Sequence, residues 1–306
     1  MTDQMHVIVV MAPSGALVNR VLIENAVSAV QGQVVEAHRV AVPVSLADHR
    51  EVVKFLIDCP DPEKLSAQLR QLSDGHGADI ALQSRLSRCR PYGLAVFDMD
   101  STLISCEVID ELARVAGVGA EVTEITDRAM RGELDFDESF RTRLALLEGL
   151  DAGAVDELAD QLPVQSGLSE MATTLKARGL KLAIFSGGFI PIAERLKSDY
   201  GFDHVVANEL EIRGGKVTGK VVPPIVNREY KAEALGALAS RLGIHTEHCI
   251  AVGDGANDLS MMALAGLGVA FHAKPAVRAA SPIEITHIGL DGVCYLMGHE
   301  GEFAAA

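Results

Sequence analysis

The chain has 306 residues, of which 48% are apolar and 23% are charged, and its mean hydropathy is +0.21. This composition supports a sizeable hydrophobic core and excludes an intrinsically disordered chain, while the length fits two or three compact units. The net charge of −15 argues against nucleic acid as a partner, because a phosphate backbone requires a basic surface. A small anionic substrate stays open, because a metal ion and a few local cations decide whether such a molecule binds.

The sequence also indicates a cellular compartment. The N-terminal residues lack the basic segment of a secretory signal, and no apolar run approaches the length of a membrane span. The cysteines are odd in number, widely spaced and without a C-x-x-C pair; they are Cys59, Cys89, Cys106, Cys249 and Cys294. We therefore expect free thiols, a cytoplasmic location and no membrane partner.

Residues 5–84 have the pattern of a small β-α-β-β-α-β domain. The predicted strands are 6–12, 34–42, 51–58 and 78–83, and the predicted helices are 16–30 and 63–72. This order is typical of a ferredoxin-like antiparallel sheet with helices packed on it. The segment that follows is polar, basic and unfavourable for a strand, so we place a domain at 1–84 and a linker at 85–92.

After the linker, strands and helices alternate as in a doubly wound, mostly parallel α/β sheet. The predicted strands are 93–97, 180–185, 204–206, 249–252 and 268–271, the predicted helices are 168–178, 190–200 and 228–242, and a hairpin is expected at 209–221. Residues from about 104 to 165 show no convincing strand, only amphipathic helical patterns at 121–131 and 136–148. An all-helical insertion after the first strand predicts a cap over the site, within a domain at 93–296 that is followed by a tail at 297–306.

Two carboxylates follow the first of these strands. Asp98 and Asp100 come directly after the apolar run 94–97 and are spaced so that an extended strand places both on one face. Like charges at this separation repel, so one carboxylate carries a proton or both share a cation. The arrangement suits Mg²⁺, with one carboxylate free to attack and the other able to hold a proton. The pair alone also fits a surface turn or the metal-binding D-x-D of a nucleotide-sugar transferase.

A serine–glycine pair and a lysine give two further signals. Ser186 and Gly187 stand between the strand 180–185 and a helix, where a hydroxyl and backbone N–H groups can hold phosphate oxygens. An ordinary glycine-rich turn has the same sequence. Lys231 lies in the first turn of the helix 228–242, where the helix dipole disfavours a cation unless a site requires positive charge, and a solvated lysine is the alternative.

A second acidic motif follows the strand 249–252. Asp254 could bind a hard cation, Asn257 could orient a substrate, and Asp258 could support the metal ligands from behind. The alternative is a helix N-cap whose acidic residues complement the helix dipole. None of these alternatives predicts that the other motifs occur in the same chain.

In this order the motifs resemble those of the haloacid dehalogenase superfamily, and specifically of its phosphoserine phosphatases. The resemblance covers about residues 92–295 and rests on D-x-D-x-T at 98–102, a serine at Ser186, a lysine at Lys231 and Gly-Asp-Gly-x-Asn-Asp at 253–258. It implies a haloacid dehalogenase-like fold with an inserted helical cap.

The resemblance also implies a two-step phosphoryl transfer. Asp98 would attack phosphorus and become an aspartyl-phosphate, and Asp100 would give a proton to the leaving oxygen and later take one from water. Mg²⁺, with Mn²⁺ as a substitute, would be held by Asp98, Asp254 and the backbone carbonyl of Asp100, with Asp258 behind them. The residues implied for binding the substrate at this end are Ser186, Gly187, Lys231 and Asn257.

In the cap, the resemblance assigns recognition of the rest of the substrate. Glu107 would face an amine, Phe136 and Met130 belong to a stretch that closes over the substrate, and Arg143 would bind a carboxylate. The plainer interpretations are a helix-start acid, residues of the cap core and a surface ion-pair partner. An acid for an ammonium and an arginine for a carboxylate describe an amino acid, so the implied reaction converts O-phospho-L-serine to L-serine and phosphate, the last step of serine biosynthesis.

The N-terminal pattern is similar to ACT domains, which often bind amino acids and regulate enzymes of their metabolism. L-serine binding there is a hypothesis, and the plainer interpretation is that the domain forms a homodimer through an exposed sheet edge or helix face. Two other functions stay open. One keeps the aspartyl-phosphate chemistry with another small phosphomonoester or with homoserine as acceptor, and the other is a ligand-sensing protein whose catalytic half is inactive.

Overall fold

In the computed structural model the chain forms two compact units, and the structure describes residues 5–14, 19–46, 49–130, 133–299 and 302–303. The first unit combines residues 1–92, 166–174 and 269–306, and the second combines residues 93–165 and 175–268. The first unit thus extends beyond the N-terminal stretch in which the sequence predicts a domain. None of the helices in the described ranges has the length and apolarity that crossing a membrane requires.

The first unit contains a four-stranded antiparallel sheet. Its elements are β1 (Met5–Pro13), α1 (Arg20–Ala29), β2 (Gln33–Arg39), β3 (Arg50–Asp58), α2 (Pro62–His76) and β4 (Asp79–Ser84). The strand order is β2-β3-β1-β4, and α1 and α2 pack with the sheet around a core that includes Ile8, Ile23, Phe55, Ile57 and Leu65. The predicted β-α-β-β-α-β pattern is confirmed, because alternating apolar residues and two helical stripes share one buried side.

The segment predicted as a linker contains a short helix, α3 (Arg85–Arg88), and a buried arginine. The Arg88 guanidinium donates to the Gln83 side chain, to the backbone carbonyls of residues 295–297 and to the Glu302 carboxylate. Glu302 also forms an ion pair with Lys54. Within the first unit, this cluster joins the N-terminal sheet to the C-terminal segment.

A second sheet has seven strands in the order β11-β10-β9-β5-β6-β7-β8. They are β5 (Leu94–Phe97), β6 (Lys181–Phe189), β7 (His204–Arg213), β8 (Lys216–Val222), β9 (Cys249–Gly253), β10 (Leu267–Phe271) and β11 (Glu284–Ile285). β5 runs parallel to both β6 and β9, and β6 runs parallel to β7. The mostly parallel sheet is confirmed, and every residue of β5 and β9 is buried, as is typical of central parallel strands.

The helices follow the predicted alternation. They are α4 (Val108–Ala116), α5 (Gly119–Met130), α6 (Phe136–Ala145), α7 (Gly153–Ala159), α8 (Leu168–Ala177), α9 (Ile190–Tyr200), α10 (Arg228–Leu242), α11 (Leu259–Leu264), α12 (Pro275–Ala280) and α13 (Gly292–Leu296). Helices α4 to α7 form the insertion after β5, where the described residues contain only isolated β-bridges and no strand. The all-helical cap is therefore confirmed.

The cap is attached to the hairpin of β7 and β8. The backbone of Val217 exchanges hydrogen bonds with Gly149 and Leu150, each at 2.9 Å, in the connection between α6 and α7. Gly214 and Gly215 form the turn with φ of 58° and 77°, a conformation that favours glycine and gives the predicted Gly-Gly turn. The hairpin therefore supports the cap within the second unit.

Candidate active site

The site lies in the second unit at the carboxyl ends of its three central strands. Asp98 follows β5, Ser186 lies near the end of β6, and Asp254 follows β9. These strands are neighbours in the order β9-β5-β6, so their carboxyl ends meet at one edge of the sheet. The topology thus brings together three motifs that are up to 156 residues apart in the sequence.

Lys231 reaches this edge from the first turn of α10. The side chain of Asn227 caps that helix by accepting a hydrogen bond from the Tyr230 backbone at 3.0 Å. The ammonium of Lys231 is fully buried and donates to Asp98 Oδ1 at 2.5 Å and to Asp258 Oδ1 at 2.7 Å. Burial would lower the pKa of Lys231, but the two carboxylates raise it above its ordinary value, so the side chain stays charged.

The two carboxylates that contact this ammonium belong to a cluster of three buried carboxylates. One oxygen each of Asp98, Asp254 and Asp258 lies within 4.8 Å of the others. Burial and the charge of Asp258 raise the pKa of Asp98 well above its usual range, against the opposite effect of Lys231. One ammonium does not neutralise three carboxylates, and a hard divalent cation with oxygen ligands would. This set of carboxylate oxygens therefore fits Mg²⁺. The Asp258 carboxylate lies within the cluster, whereas the sequence suggests a supporting position behind the metal ligands.

Asp100 lies beside the loop that carries Ser186. A Cβ at Gly188 would lie 2.7 Å from Asp100 Oδ2 and 3.0 Å from Ser186 Oγ, so only glycine leaves room there. Burial and the charge of Glu107 raise the pKa of Asp100 well above its usual range, although it accepts a hydrogen bond from the Val108 backbone at 3.3 Å. A carboxyl group with a raised pKa is suited to giving a proton.

The turn after Asp100 holds two hydroxyl side chains against acidic neighbours. Ser101 has φ of 59°, an uncommon conformation for a residue other than glycine, and donates to Glu107 Oε1 at 2.9 Å. Thr102 is buried and lies 3.5 Å from Asp254 Oδ1. The D-x-D-x-T motif thus positions the cap residue Glu107 as well as the carboxylates of the sheet edge.

Phe136 and Arg143 are placed by the cap helix α6. The tip of the Phe136 ring lies 3.5 Å from the position of a Cβ at Gly187, although 37% of the residue is exposed. Arg143 is half-buried, and its Nε has no hydrogen-bond partner among the described residues. A buried donor without a partner is costly, and an anionic group of a ligand would satisfy it.

Two predicted site residues have less defined surroundings. The side chain of Met130 lies outside the described residues, as do Arg131 and Gly132. Asn257 is half-buried in the short turn that links β9 to α11, with its side-chain oxygen against Gly255. Its position on the loop of Asp254 and Asp258 keeps it among the candidates for substrate binding.

Sequence reasoning missed Asp110 and Asn208. Asp110 lies on α4 one turn after Glu107; burial and the charge of Glu107 raise its pKa, and the charge of Arg143 lowers it. The pattern of acids at the start of α4 could have indicated it. Asn208 is fully buried on β7 and forms side-chain hydrogen bonds to backbone groups near the site. No motif in the sequence marks it.

The chain belongs to the haloacid dehalogenase-like hydrolase family. The family model matches residues 92–266, a stretch that contains Asp98, Ser186, Lys231 and Asp254. The expected fold class is thereby confirmed by sequence as well as by structure. The similarity of the N-terminal unit to ACT domains stays a prediction.

Several proteins that are similar to this chain are named phosphoserine phosphatases. The chain is 44% identical over 243 residues to phosphoserine phosphatase SerB2 of Mycobacterium tuberculosis, covering 79% of this chain and 59% of that protein. A haloacid dehalogenase family hydrolase of Salmonella enterica serovar Typhi matches 96% of this chain and 99% of its own, with a TM-score of 0.83 and 32% identity. A substrate-bound phosphoserine phosphatase complex matches 68% of this chain and 99% of its own, with a TM-score of 0.64 and 39% identity.

Proposed function

We propose that the protein hydrolyses O-phospho-L-serine to L-serine and phosphate. The observation that carries this proposal is the buried contact of 2.5 Å between the Asp98 carboxylate and the Lys231 ammonium, at the sheet edge where Ser186 and Asp100 also lie. A carboxylate held there can attack an electrophilic phosphorus whose oxygens are bound by cations and hydroxyl groups. Relatives named phosphoserine phosphatases support the choice of substrate.

In the first step, Asp98 forms a bond to phosphorus while the bond between phosphorus and the serine oxygen breaks. Asp100 enters this step protonated and gives its proton to the departing oxygen, since burial and the charge of Glu107 raise its pKa. Direct contact with the Lys231 ammonium favours the ionised form of Asp98 instead. Lys231 and the Ser186 hydroxyl bind the oxygens of the transferring group and stabilise their charge.

In the second step, a water molecule attacks the phosphorus of the phosphorylated Asp98. Asp100, now ionised, takes a proton from that water, and the Asp98 carboxylate is released with phosphate. Asp100 therefore finishes the cycle protonated, as it began. The helical cap excludes other water until the substrate is bound.

The buried carboxylates also define a cation site. Mg²⁺, with Mn²⁺ as a substitute, would be held by Asp98, Asp254 and the backbone carbonyl of Asp100, with Asp258 beside them, and it supplies positive charge next to the phosphate when bound. Lys231 balances part of the same negative charge from the protein side.

Recognition of serine is assigned to the cap. Glu107 would bind the ammonium of the substrate, and Arg143 would bind its carboxylate through the donor that otherwise lacks a partner. Phe136, over Gly187, and Met130 would cover the substrate. Gly187 and Asn257 would bind the phosphate end.

A phosphate-release assay tests this function. We expect release from O-phospho-L-serine that stops when a chelator removes divalent ions and returns with Mg²⁺. Much faster release from another phosphomonoester, or transfer of the phosphoryl group to homoserine, would contradict the assigned substrate. If phosphate were released neither from O-phospho-L-serine nor from another phosphomonoester, a ligand-sensing protein would be favoured instead.

We also propose that the first unit binds L-serine as a regulator and that the protein is a cytoplasmic homodimer. A cavity of about 570 Å³ between α1 and the sheet is large enough for an amino acid and has Arg20, Arg39 and Glu51 among its lining residues. Calorimetry of the full-length Asp98→Asn variant titrated with L-serine tests this binding. Binding of L-serine at the active site alone would contradict the proposal. Sedimentation of the full chain tests the dimer.

A further inference from the structure

Asn208 is fully buried near the end of the parallel pairing between β6 and β7, and both ends of its side-chain amide form hydrogen bonds. Its Nδ2 donates to the Gly187 carbonyl at 2.7 Å, and its Oδ1 accepts from the Val226 backbone at 2.8 Å. A buried amide that uses both groups on backbone partners holds those partners at a fixed separation.

One partner leads directly to Ser186. The Gly187 carbonyl belongs to the peptide group whose N–H is that of Gly188, and this N–H donates to Ser186 Oγ at 2.8 Å. Asn208 thus fixes one end of a peptide group whose other end holds the serine hydroxyl. Because Ser186 Oγ accepts from Gly188, its own proton is free to point at a phosphate oxygen.

The other partner leads to Lys231. Val226 directly precedes Asn227, the residue that caps α10, and Lys231 lies in the first turn of that helix. The same side chain therefore connects the loop of Ser186 to the start of the helix that carries the buried ammonium. In the proposed mechanism, Ser186 and Lys231 both bind the transferring phosphate.

We infer that Asn208 is a positioning residue for phosphoryl transfer, which orients Ser186 through the Gly187–Gly188 peptide and sets its separation from Lys231. This inference rests on the proposed phosphatase function. Asn208 is not required to touch the substrate. Its action is to keep the two phosphate-binding elements in register, where a displacement of ~1 Å can cost on the order of 100-fold in rate.

Asn208→Asp is the sharpest test, because it keeps the shape and the acceptor for Val226 but replaces the donor to Gly187 by an oxygen. Asn208→Ser, which adds no charge, is measured beside it. We expect kcat to fall by about 10- to 100-fold in both. The loss should be the same for O-phospho-L-serine and p-nitrophenyl phosphate, because the cap residues that recognise serine are untouched.

A matched control separates positioning from stability. Leu175→Ala opens a cavity at the opposite end of β6, where Leu175 accepts a hydrogen bond from the Leu180 backbone. It should lower the melting temperature while kcat at 25 °C stays within twofold of the unchanged protein. Retention of kcat in Asn208→Asp and Asn208→Ser, or an equal loss of kcat in Leu175→Ala, would overturn the inference.

Binding of inorganic phosphate gives a readout that does not depend on turnover. We expect calorimetry with Mg²⁺ present to show weaker phosphate binding by the Asn208 variants than by the unchanged protein and by Leu175→Ala. If the unchanged protein bound phosphate but hydrolysed nothing, the proposed function would fail while this comparison still decided the role of Asn208. Equal phosphate affinities would contradict that role.

Discussion

Lys231 and the carboxylates around it are buried together, so each charge depends on the others for compensation. Two carboxylates contact the ammonium, and Asp254 lies within the same cluster. An arrangement with more negative than positive charge destabilises the ligand-free protein locally and favours binding of a cation and then of a phosphate group that completes the site. At the residue scale, the proposed function therefore depends on charged side chains that folding has buried away from water.

Asp98→Asn tests the nucleophile. We expect phosphate release from O-phospho-L-serine to fall by several orders of magnitude, because an amide does not attack phosphorus. The fold should persist, since Lys231 keeps its bond of 2.7 Å to Asp258. Circular dichroism and the melting temperature check the fold, and Asp199→Asn, a change at an exposed residue of α9, is the control. Full activity of Asp98→Asn would refute the assignment.

Arg143→Ala tests recognition of the substrate carboxylate. Hydrolysis of O-phospho-L-serine should weaken by at least 10-fold in kcat/KM, whereas hydrolysis of p-nitrophenyl phosphate, which has no carboxylate, should change little. Arg141→Ala, an exposed arginine of the same helix, is the matched control. Glu107→Gln should show the same selectivity through the lost contact with the ammonium. Equal losses on both substrates would remove the case for these roles.

At the scale of elements, the hairpin of β7 and β8 decides where the cap lies. Its backbone exchanges hydrogen bonds with the connection between α6 and α7, and Gly219 approaches α6 at Ala145. The closeness of these backbones leaves little room for rearrangement at this contact. The cap is therefore attached on this side, and Phe136 and Arg143 are presented from the same helix.

Gly219→Ala tests this attachment. The new methyl group would lie 3.1 Å from the Ala145 backbone, and the φ of 74° at this position is unfavourable for alanine. Gly214→Ala shares a positive φ of 58° but meets nothing within 4 Å, so the difference between the two variants reports the cap contact. We expect Gly219→Ala to raise KM for O-phospho-L-serine several-fold more than Gly214→Ala does. Equal effects would show that backbone strain alone is responsible.

At the scale of the whole molecule, the N-terminal sheet is stabilised by contacts with residues outside 1–84. Within the first unit, Arg88 and Lys54 form ion pairs with Glu302, and Asp79 accepts hydrogen bonds from the backbone of residues 286–288. Stability of this unit therefore depends on the C-terminal segment. For this reason the experiments above use the full chain and not an N-terminal fragment.

Glu302→Gln tests that dependence through pH. Burial alone would raise the pKa of Glu302, but the hydrogen bonds and charges of Arg88 and Lys54 lower it. A group with a lowered pKa stabilises the folded state above its unfolded value of about 4.3 and loses that effect as the pH falls through the folded value. We expect the variant to be less stable by roughly 3 kcal/mol near pH 7, with a difference that shrinks in acid.

Urea unfolding at several pH values measures this difference. Glu24→Gln, which removes an exposed ion pair with Arg20, is the control and should change stability by less than about 1 kcal/mol. A difference for Glu302→Gln that stayed constant from neutral pH into acid would contradict an effect of the ionised carboxylate.

The family, the two sheets and the cap followed from the sequence, because apolar periodicity and short motifs at strand ends are local properties. Helices 190–200 and 228–242 were predicted at the bounds that the structure shows for α9 and α10. The hairpin turn at Gly214 and Gly215 was equally readable, since only certain residues tolerate its dihedral angles. The roles assigned to individual site residues stay predictions until the experiments above are done.

The tertiary structure decided the rest. The sequence of the basic segment 85–92 does not show whether its arginines are solvated or buried. In the structure Arg88 is buried and donates to carbonyl groups. Asp258 joins the carboxylate cluster, and Asn208 joins two phosphate-binding elements, only because β7, β9 and α10 meet at one edge of the unit. Residue type and spacing are properties of the sequence itself. Burial and hydrogen-bond partners depend on contacts between distant segments, which exist only after folding.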